Sequence, residues 1–144
     1  MVSNLVTPAA IERLVLIRAA HPRPAGPQTE CLARTVYHEA SNQILQGQLA
    51  VAQVIINRTK TPSYPRTACA VVSQPGQFAQ APVAASVTAS ASWRTALAIS
   101  VIAQDRQVGQ VAPGALYFHA VYARPSWSRT HERIAQIGDH IFYR

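Results

Sequence analysis

The stretch QLAVAQVIINRT, residues 48–59, limits what this chain can fold into more than any other. Wound as a helix it is apolar on nearly every side, and such a helix is stable only when other elements cover it all round. The expected fold is therefore built around a central buried helix. A chain of 144 residues suits one compact domain. Apolar residues make up 49% and charged residues 13%, enough to cover that helix and too little charge for a disordered chain.

The flanking segments supply the cover. Residues 5–20 read as a helix, with Thr7 as N-cap and Pro8 at the first helical position, where a missing N–H costs nothing. Ile11, Leu14, Val15 and Arg18 follow helical spacing. HPRPAGP (21–27) reads as a linker. Residues 1–28 are thus expected to be an appended helix and Pro-rich linker, and 29–144 the main domain. Residues 29–40 read as the next helix, capped by Thr29, with Leu32, Val36, Tyr37 and Ala40 as its apolar stripe. SNQILQG (41–47) breaks it. Beyond the central helix come a Pro-rich loop (60–67), a short buried segment (68–74), the turn PGQF (75–78) and a loop-rich stretch (81–92). A helix over 93–105 places Trp93, Leu97 and Val101 on one face. ALYFHA (115–120) reads as a strand, and RIAQI and HIFYR flank Gly138-Asp139 as a two-residue hairpin. The fold class expected is α+β, mainly α, with a small antiparallel sheet near the C-terminus.

Charge narrows the partners. The formal net charge is +7, which favours a polyanion. The thirteen basic residues form no dense run, which argues against nucleic acid. No apolar run approaches the roughly 20 residues that span a bilayer. LVLIRAA (14–20) is short and interrupted by Arg18, so it does not read as a signal segment. That leaves a cytosolic protein, one released by another route, or a chain trimmed from an exported one. Two cysteines, Cys31 and Cys69, fit no zinc spacing; the sequence leaves open whether they pair or stay as buried thiols.

Chemistry concentrates on few residues. The chain has six acids, and one of them, Glu39 in YHEA (37–40), sits at the end of an apolar helix face. A partly desolvated carboxyl keeps its proton to higher pH, which suits a general acid. The bland alternative is an exposed helix-end glutamate paired with an arginine. Glycosidases usually use a second carboxylate within roughly 5–10 Å. Glu30, Asp105 and Asp139 are remote in sequence, so a one-carboxylate mechanism gains weight. The HE dipeptides at 38–39 and 131–132 lack a second histidine at four-residue spacing, so no metal site is expected, although His119 and His140 on strands remain conceivable ligands. Phe78, Tyr117, Phe118, Tyr122, Trp127 and Tyr143 cluster in the second half among Gln77, His119 and Ser126, a mixture that suits sugar rings. Phe118 and Phe142 read as core residues, Trp127 as a site residue and His131 as a surface one.

Six segments together, CLARTVYHEA, GQLAVAQVIINRT, YPRTACAVVSQPGQF, ALYFHA, RPSW and IGDHIFY, resemble the SleB/CwlJ family of cell wall hydrolases, in the family's order and over about residues 30–143. The resemblance implies a lysozyme-like fold and cleavage of peptidoglycan glycan strands outside the cytoplasm, by a periplasmic, secreted or phage-encoded enzyme. It places the catalytic role on Glu39; we assign substrate positioning to Gln77, Phe78, Tyr117, His119 and Trp127 and expect no cofactor and no metal. The chemistry implied is that of a lytic transglycosylase: Glu39 protonates the bond between MurNAc and GlcNAc, then takes the proton of the MurNAc 6-hydroxyl as a 1,6-anhydro ring closes. An extracytoplasmic setting also favours a Cys31–Cys69 disulfide. The expected partner is the glycan strand, with peripheral contact to an anionic envelope, and the expected state a monomer.

The chain departs from the family in one place. Members often read EARGE where this chain has EASNQ, with Gln43 in place of the second acid. Three alternatives stay open: a hydrolytic muramidase on the same site, an amidase cleaving the MurNAc–peptide bond, and a glycan-binding or structural protein without activity.

Overall fold

The computed structural model describes residues 6–79 and 81–144. Six helices come first: α1 (Pro8–Ala20), α2 (Pro27–Ala40), α3 (Leu45–Thr59), α4 (Ala68–Val72), α5 (Ala85–Thr88) and α6 (Ala91–Gln104). Strand β1 (Tyr117–Ala120), a 3₁₀ turn (Ser126–Arg129), β2 (Arg133–Ile137) and β3 (His140–Tyr143) follow. The three strands form one antiparallel sheet in the order β1-β3-β2. The fold is α+β and mainly α, as the sequence implies.

The all-round apolarity of α3 has a direct cause. Leu49, Ala52 and Ile55 face a helical cluster with Leu32, Val36, Val71 and Ile99. Ala50, Val51 and Val54 face a second cluster with Ala112, Ala115 and Phe142 of the sheet side. Helix α3 is therefore the partition between helices and sheet, and each face buries a full stripe. It starts three residues earlier than the sequence suggests, at Leu45, so 45–47 belong to the helix.

Other boundaries also move. Thr7 caps α1 through its hydroxyl, which accepts the Ala10 N–H, and Pro8 opens it; residue 5 lies outside the described residues. The helix is not an appendage: Ile11 is fully buried and Val15 nearly so, both in the core shared with α2, α3 and α6. Helix α2 begins at Pro27 behind Gly26, two residues before the expected start. Thr29 is thus inside the first turn, and its hydroxyl donates to Gln104 Oε1 on α6 instead of capping. On α6 the buried stripe runs through Trp93, Ala96, Ile99 and Ile102, while Leu97 and Val101 are only half-buried.

A disulfide joins Cys31 on α2 to Cys69 on α4 and closes a loop of 38 residues. By loop-closure entropy such a link is worth about 3–4 kcal/mol. It fixes the helix that ends in Glu39 to the segment leading into the turn at 75–78. No helix among the described residues is long and apolar enough to cross a membrane.

Candidate active site

A cleft of about 900 Å³ opens between the C-terminal end of α2, the turn at 75–78 and the sheet with its 3₁₀ turn. Glu39, Gln77, Phe78, Tyr117, His119 and Trp127 all line it. A second hollow of about 420 Å³ shares Gln77, Tyr117 and Trp127 and continues toward Tyr64, Pro75 and His131. The result is an elongated groove with Glu39 in its larger part.

Glu39 stands half-buried in the last turn of α2. No cation forms an ion pair with it among the described residues; the three ion pairs there involve Asp105 and Glu132. Its Oε1 accepts the backbone N–H of Ala79 at 3.0 Å. That bond occupies a lone pair of Oε1, so in the protonated acid the proton sits on Oε2.

Gln77 is placed by a residue that periodicity does not single out. Arg58, in the last turn of α3, is 4% exposed and pairs with no carboxylate among the described residues. Its Nε donates to the Leu116 carbonyl at 2.8 Å, and its Nη1 to Gln77 Oε1 at 3.2 Å. The guanidinium lies 4.8 Å from the ring centre of Tyr64, 5.1 Å from Phe78 and 5.5 Å from Tyr117. Burial pulls its pKa below the ordinary value, with Tyr64 and Tyr117 acting in the opposite sense. With its oxygen held by Arg58, Gln77 keeps both amide N–H groups for the cleft.

The opposite wall is aromatic. Trp127 on the 3₁₀ turn packs 5.5 Å from Tyr117 and crosses Tyr143 nearly at a right angle, 5.3 Å away. His131 stacks on Tyr117 at 4.2 Å, so it belongs to this wall rather than to bare surface. His119 is held at both nitrogens: Nδ1 donates to the Ala120 carbonyl at 2.7 Å and Nε2 accepts the Tyr143 hydroxyl at 2.8 Å. It is therefore spoken for, and no group of three or more metal-binding side chains gathers among the described residues. Phe142 is fully buried, whereas Phe118, expected in the core, also lines the cleft.

Three further residues complete the cleft. Asp139, His140 and Gln43 line the same cleft as Glu39. Gln43 Oε1 accepts the Asp139 N–H at 2.9 Å, and Gln43 Nε2 donates to Asp139 Oδ2 at 3.1 Å. Position 43 thus pins the hairpin turn to the end of α2. Gly138, at φ +57°, leaves room for this, since a Cβ there would lie 2.5 Å from Gln43 Oε1. His140 is buried, and burial holds its pKa below the ordinary value, against a smaller pull from the Glu39 and Asp139 carboxylates and with a small push from His119.

The family described as Cell Wall Hydrolase (Hydrolase_2) matches residues 42–143. The spore cortex-lytic enzyme of Halalkalibacterium halodurans is 32% identical over 114 residues, 78% of this chain and 33% of that protein. The spore cortex-lytic enzyme of Bacillus cereus is 31% identical over 114 residues, 78% of this chain and 42% of that protein. The chain therefore spans between a third and about two fifths of the length of these relatives. Among solved structures, the catalytic domain of the germination-specific lytic transglycosylase SleB from Bacillus anthracis superposes with a TM-score of 0.67 at 28% identity, covering 85% of this chain and 99% of that one. The catalytic domain of SleB from Bacillus cereus gives a TM-score of 0.61 at 28% identity, over 85% of this chain and 94% of that one.

Proposed function

The chain belongs to the cell wall hydrolase family, and from that membership we propose that it degrades peptidoglycan by cutting the bond between MurNAc and GlcNAc, as a lytic transglycosylase. The observation that carries this reading is Glu39: a half-buried carboxyl with no cationic partner among the described residues, held through Oε1, in a groove walled by aromatic rings. The B. anthracis structure that this chain resembles bears the description of a lytic transglycosylase.

In this reading Glu39 donates its Oε2 proton to the glycosidic oxygen as the C1–O bond breaks. The ionised carboxylate then removes the proton of the MurNAc 6-hydroxyl while that oxygen bonds to C1. The proton given in the first step is regained in the second, so Glu39 is unchanged over the cycle. General acid–base help of this kind is worth about 10²–10⁴ in rate. Gln77 directs its amide hydrogens at sugar oxygens. Phe78, Tyr117 and Trp127 offer ring faces to apolar sugar faces, and His119 fixes the Tyr143 side of the wall.

The catalytic unit we assign to residues 29–144, with α1 packed on it as support. We take a monomer as the working unit. The target lies outside the cytoplasm, and a net charge of +7 holds the protein near anionic envelope polymers, less strongly at high salt.

A second reading is hydrolysis at the same bond. Asp139, remote from Glu39 in sequence, lines the same cleft and brings a second carboxylate to it. The mass of soluble products from purified sacculi separates the two. Anhydro-muropeptides from the wild type and none from Glu39→Gln support transglycosylation. Reducing-end muropeptides put water in place of the 6-hydroxyl. Equal release by wild type and Glu39→Gln removes Glu39 from the chemistry, and release by neither overturns the enzyme reading.

A further inference from the structure

His140 has no part in the scheme above. It opens β3 directly after the Gly138-Asp139 turn and lines the cleft together with Glu39. The residue is only 7% exposed. Its ring meets Phe118 at 5.0 Å and Phe142 at 6.3 Å, both edge-on. Among the described residues its Nδ1 is buried and has no hydrogen-bond partner, so Nε2 is the nitrogen open to the cleft.

These facts decide the tautomer. A neutral imidazole carries one N–H and one lone pair. Orphaned buried N–H groups are rare in folded proteins, and an unused lone pair is the more tolerable of the two. The hydrogen therefore belongs on Nε2. Protonating the ring would place a second N–H at the buried Nδ1, where nothing accepts it, so the ring stays neutral. The charged and titratable groups facing it are Glu39 on α2, Asp139 in the turn and His119 on β1, and burial outweighs the pull of the two carboxylates. His140 thus offers the cleft a fixed, uncharged donor. No hydrogen bond joins the ring to Glu39 in this structure, so the donor is available to a ligand in the cleft.

We propose that His140 is a substrate-binding residue whose Nε2–H donates to a neutral oxygen of the bound glycan, a hydroxyl or an acetamido carbonyl, beside Glu39. This rests on the glycan-cutting reading. An uncharged donor suits such an oxygen because it neither attracts free anions nor titrates with the acid next to it.

The test pairs kinetics with spectroscopy. Phe at position 140 fits the apolar wall and removes the orphaned nitrogen, so His140→Phe keeps or raises the melting temperature. Its kcat/KM on sacculi falls about tenfold to a hundredfold, the effect of one lost uncharged hydrogen bond to substrate. His140→Gln, which keeps an amide donor near the Nε2 position, recovers part of that loss. In ¹⁵N-histidine-labelled Glu39→Gln protein at neutral pH, the His140 proton resides on Nε2. Glycan strands freed of their peptides by amidase shift that Nε2–H resonance. A fully active His140→Phe beside an inactive Glu39→Gln overturns the inference and leaves the function standing. So does a proton on Nδ1, or a Trp127 indole signal that moves with glycan while His140 stays still. Wild type that neither releases product nor shows any cleft signal moving overturns both.

Discussion

The helical body and the cleft treat their polar groups differently. In the body, polar side chains along α3 and α6 are paired within the fold, although among the described residues Arg34 Nε on α2 is buried without a hydrogen-bond partner. Gln53 donates to the Gly109 carbonyl and accepts the Val111 N–H, and Asn57 donates to the Ala115 carbonyl and to Gln110. On α6, Ser100 returns its hydroxyl to Ala96. In the cleft, capacity is left over among the described residues: Gln77 engages its oxygen, Glu39 its Oε1, and the buried His140 Nδ1 has no partner. Buried polar groups in folded proteins are normally satisfied. The contrast marks where a ligand with many oxygens completes the set.

Glu39→Gln draws the sharpest line between the two regions. The amide still accepts the Ala79 N–H, so the melting temperature holds while the rate falls by about 10²–10⁴. A parallel loss of stability would mean that the carboxylate belongs to the body. Replacing Cys31 and Cys69 with serine does the reverse. It removes about 3–4 kcal/mol from a fold closed over 38 residues, read from urea midpoint and slope together, because the unlinked unfolded chain is more expanded. At temperatures where the variant remains folded, kcat/KM stays near the wild-type value. Loss of activity in the folded variant would show that the link shapes the groove itself.

Arg58 straddles the border and blurs the comparison. Its Nε serves the body through Leu116, and its Nη1 serves the cleft through Gln77. Arg58→Met keeps apolar bulk among the rings and leaves both oxygens without a donor. Hydrogen bonds to charged groups contribute about 1.5–3 kcal/mol, so unfolding free energy falls by that order. Glycan affinity, measured in a Glu39→Gln background, weakens as Gln77 loses its orientation. Weaker binding at unchanged stability would assign Arg58 wholly to the cleft.

The sequence carried the body further than the cleft, for physical reasons. All-round apolarity at 48–59 leaves few alternatives to a central helix, and Gly138-Asp139 between alternating runs leaves few to a hairpin. Boundaries failed where one residue type serves two purposes. Pro27 reads as linker, yet it suits the first position of a helix, and this displaced the start of α2. The Pro-rich stretch after α1 suggested detachment, but local sequence says nothing about where a helix returns, and Ile11 lies in the core. In the cleft, family resemblance brought Glu39, Gln77 and Trp127 under one heading, which no periodicity does. Arg58 is one of thirteen scattered basic residues in the sequence, and Asp139 reads as a turn residue. Their tasks depend on contacts that span the chain.

Position 43 gives the finest test of the border, because there a departure from the family motif meets a specific partner. Gln43 offers Asp139 one acceptor and one donor at once. A glutamate there keeps the acceptor for the Asp139 N–H but sets two carboxylates face to face. The lost hydrogen bond, about 0.5–1.5 kcal/mol, and a screened repulsion of about 1 kcal/mol give Gln43→Glu a deficit of about 2 kcal/mol. Like charges raise the folded-state pKa of the carboxylates above their unfolded values, so the deficit is full at neutral pH and disappears as pH falls toward about 4. Asp139→Asn restores a donor opposite the new acid, and the double variant regains most of the loss. Urea midpoints around the double-mutant cycle measure the coupling, with about 1–2 kcal/mol expected. A coupling near zero would mean that the hairpin turn is held by its backbone alone, and that the missing acid of the motif has no counterpart in Asp139.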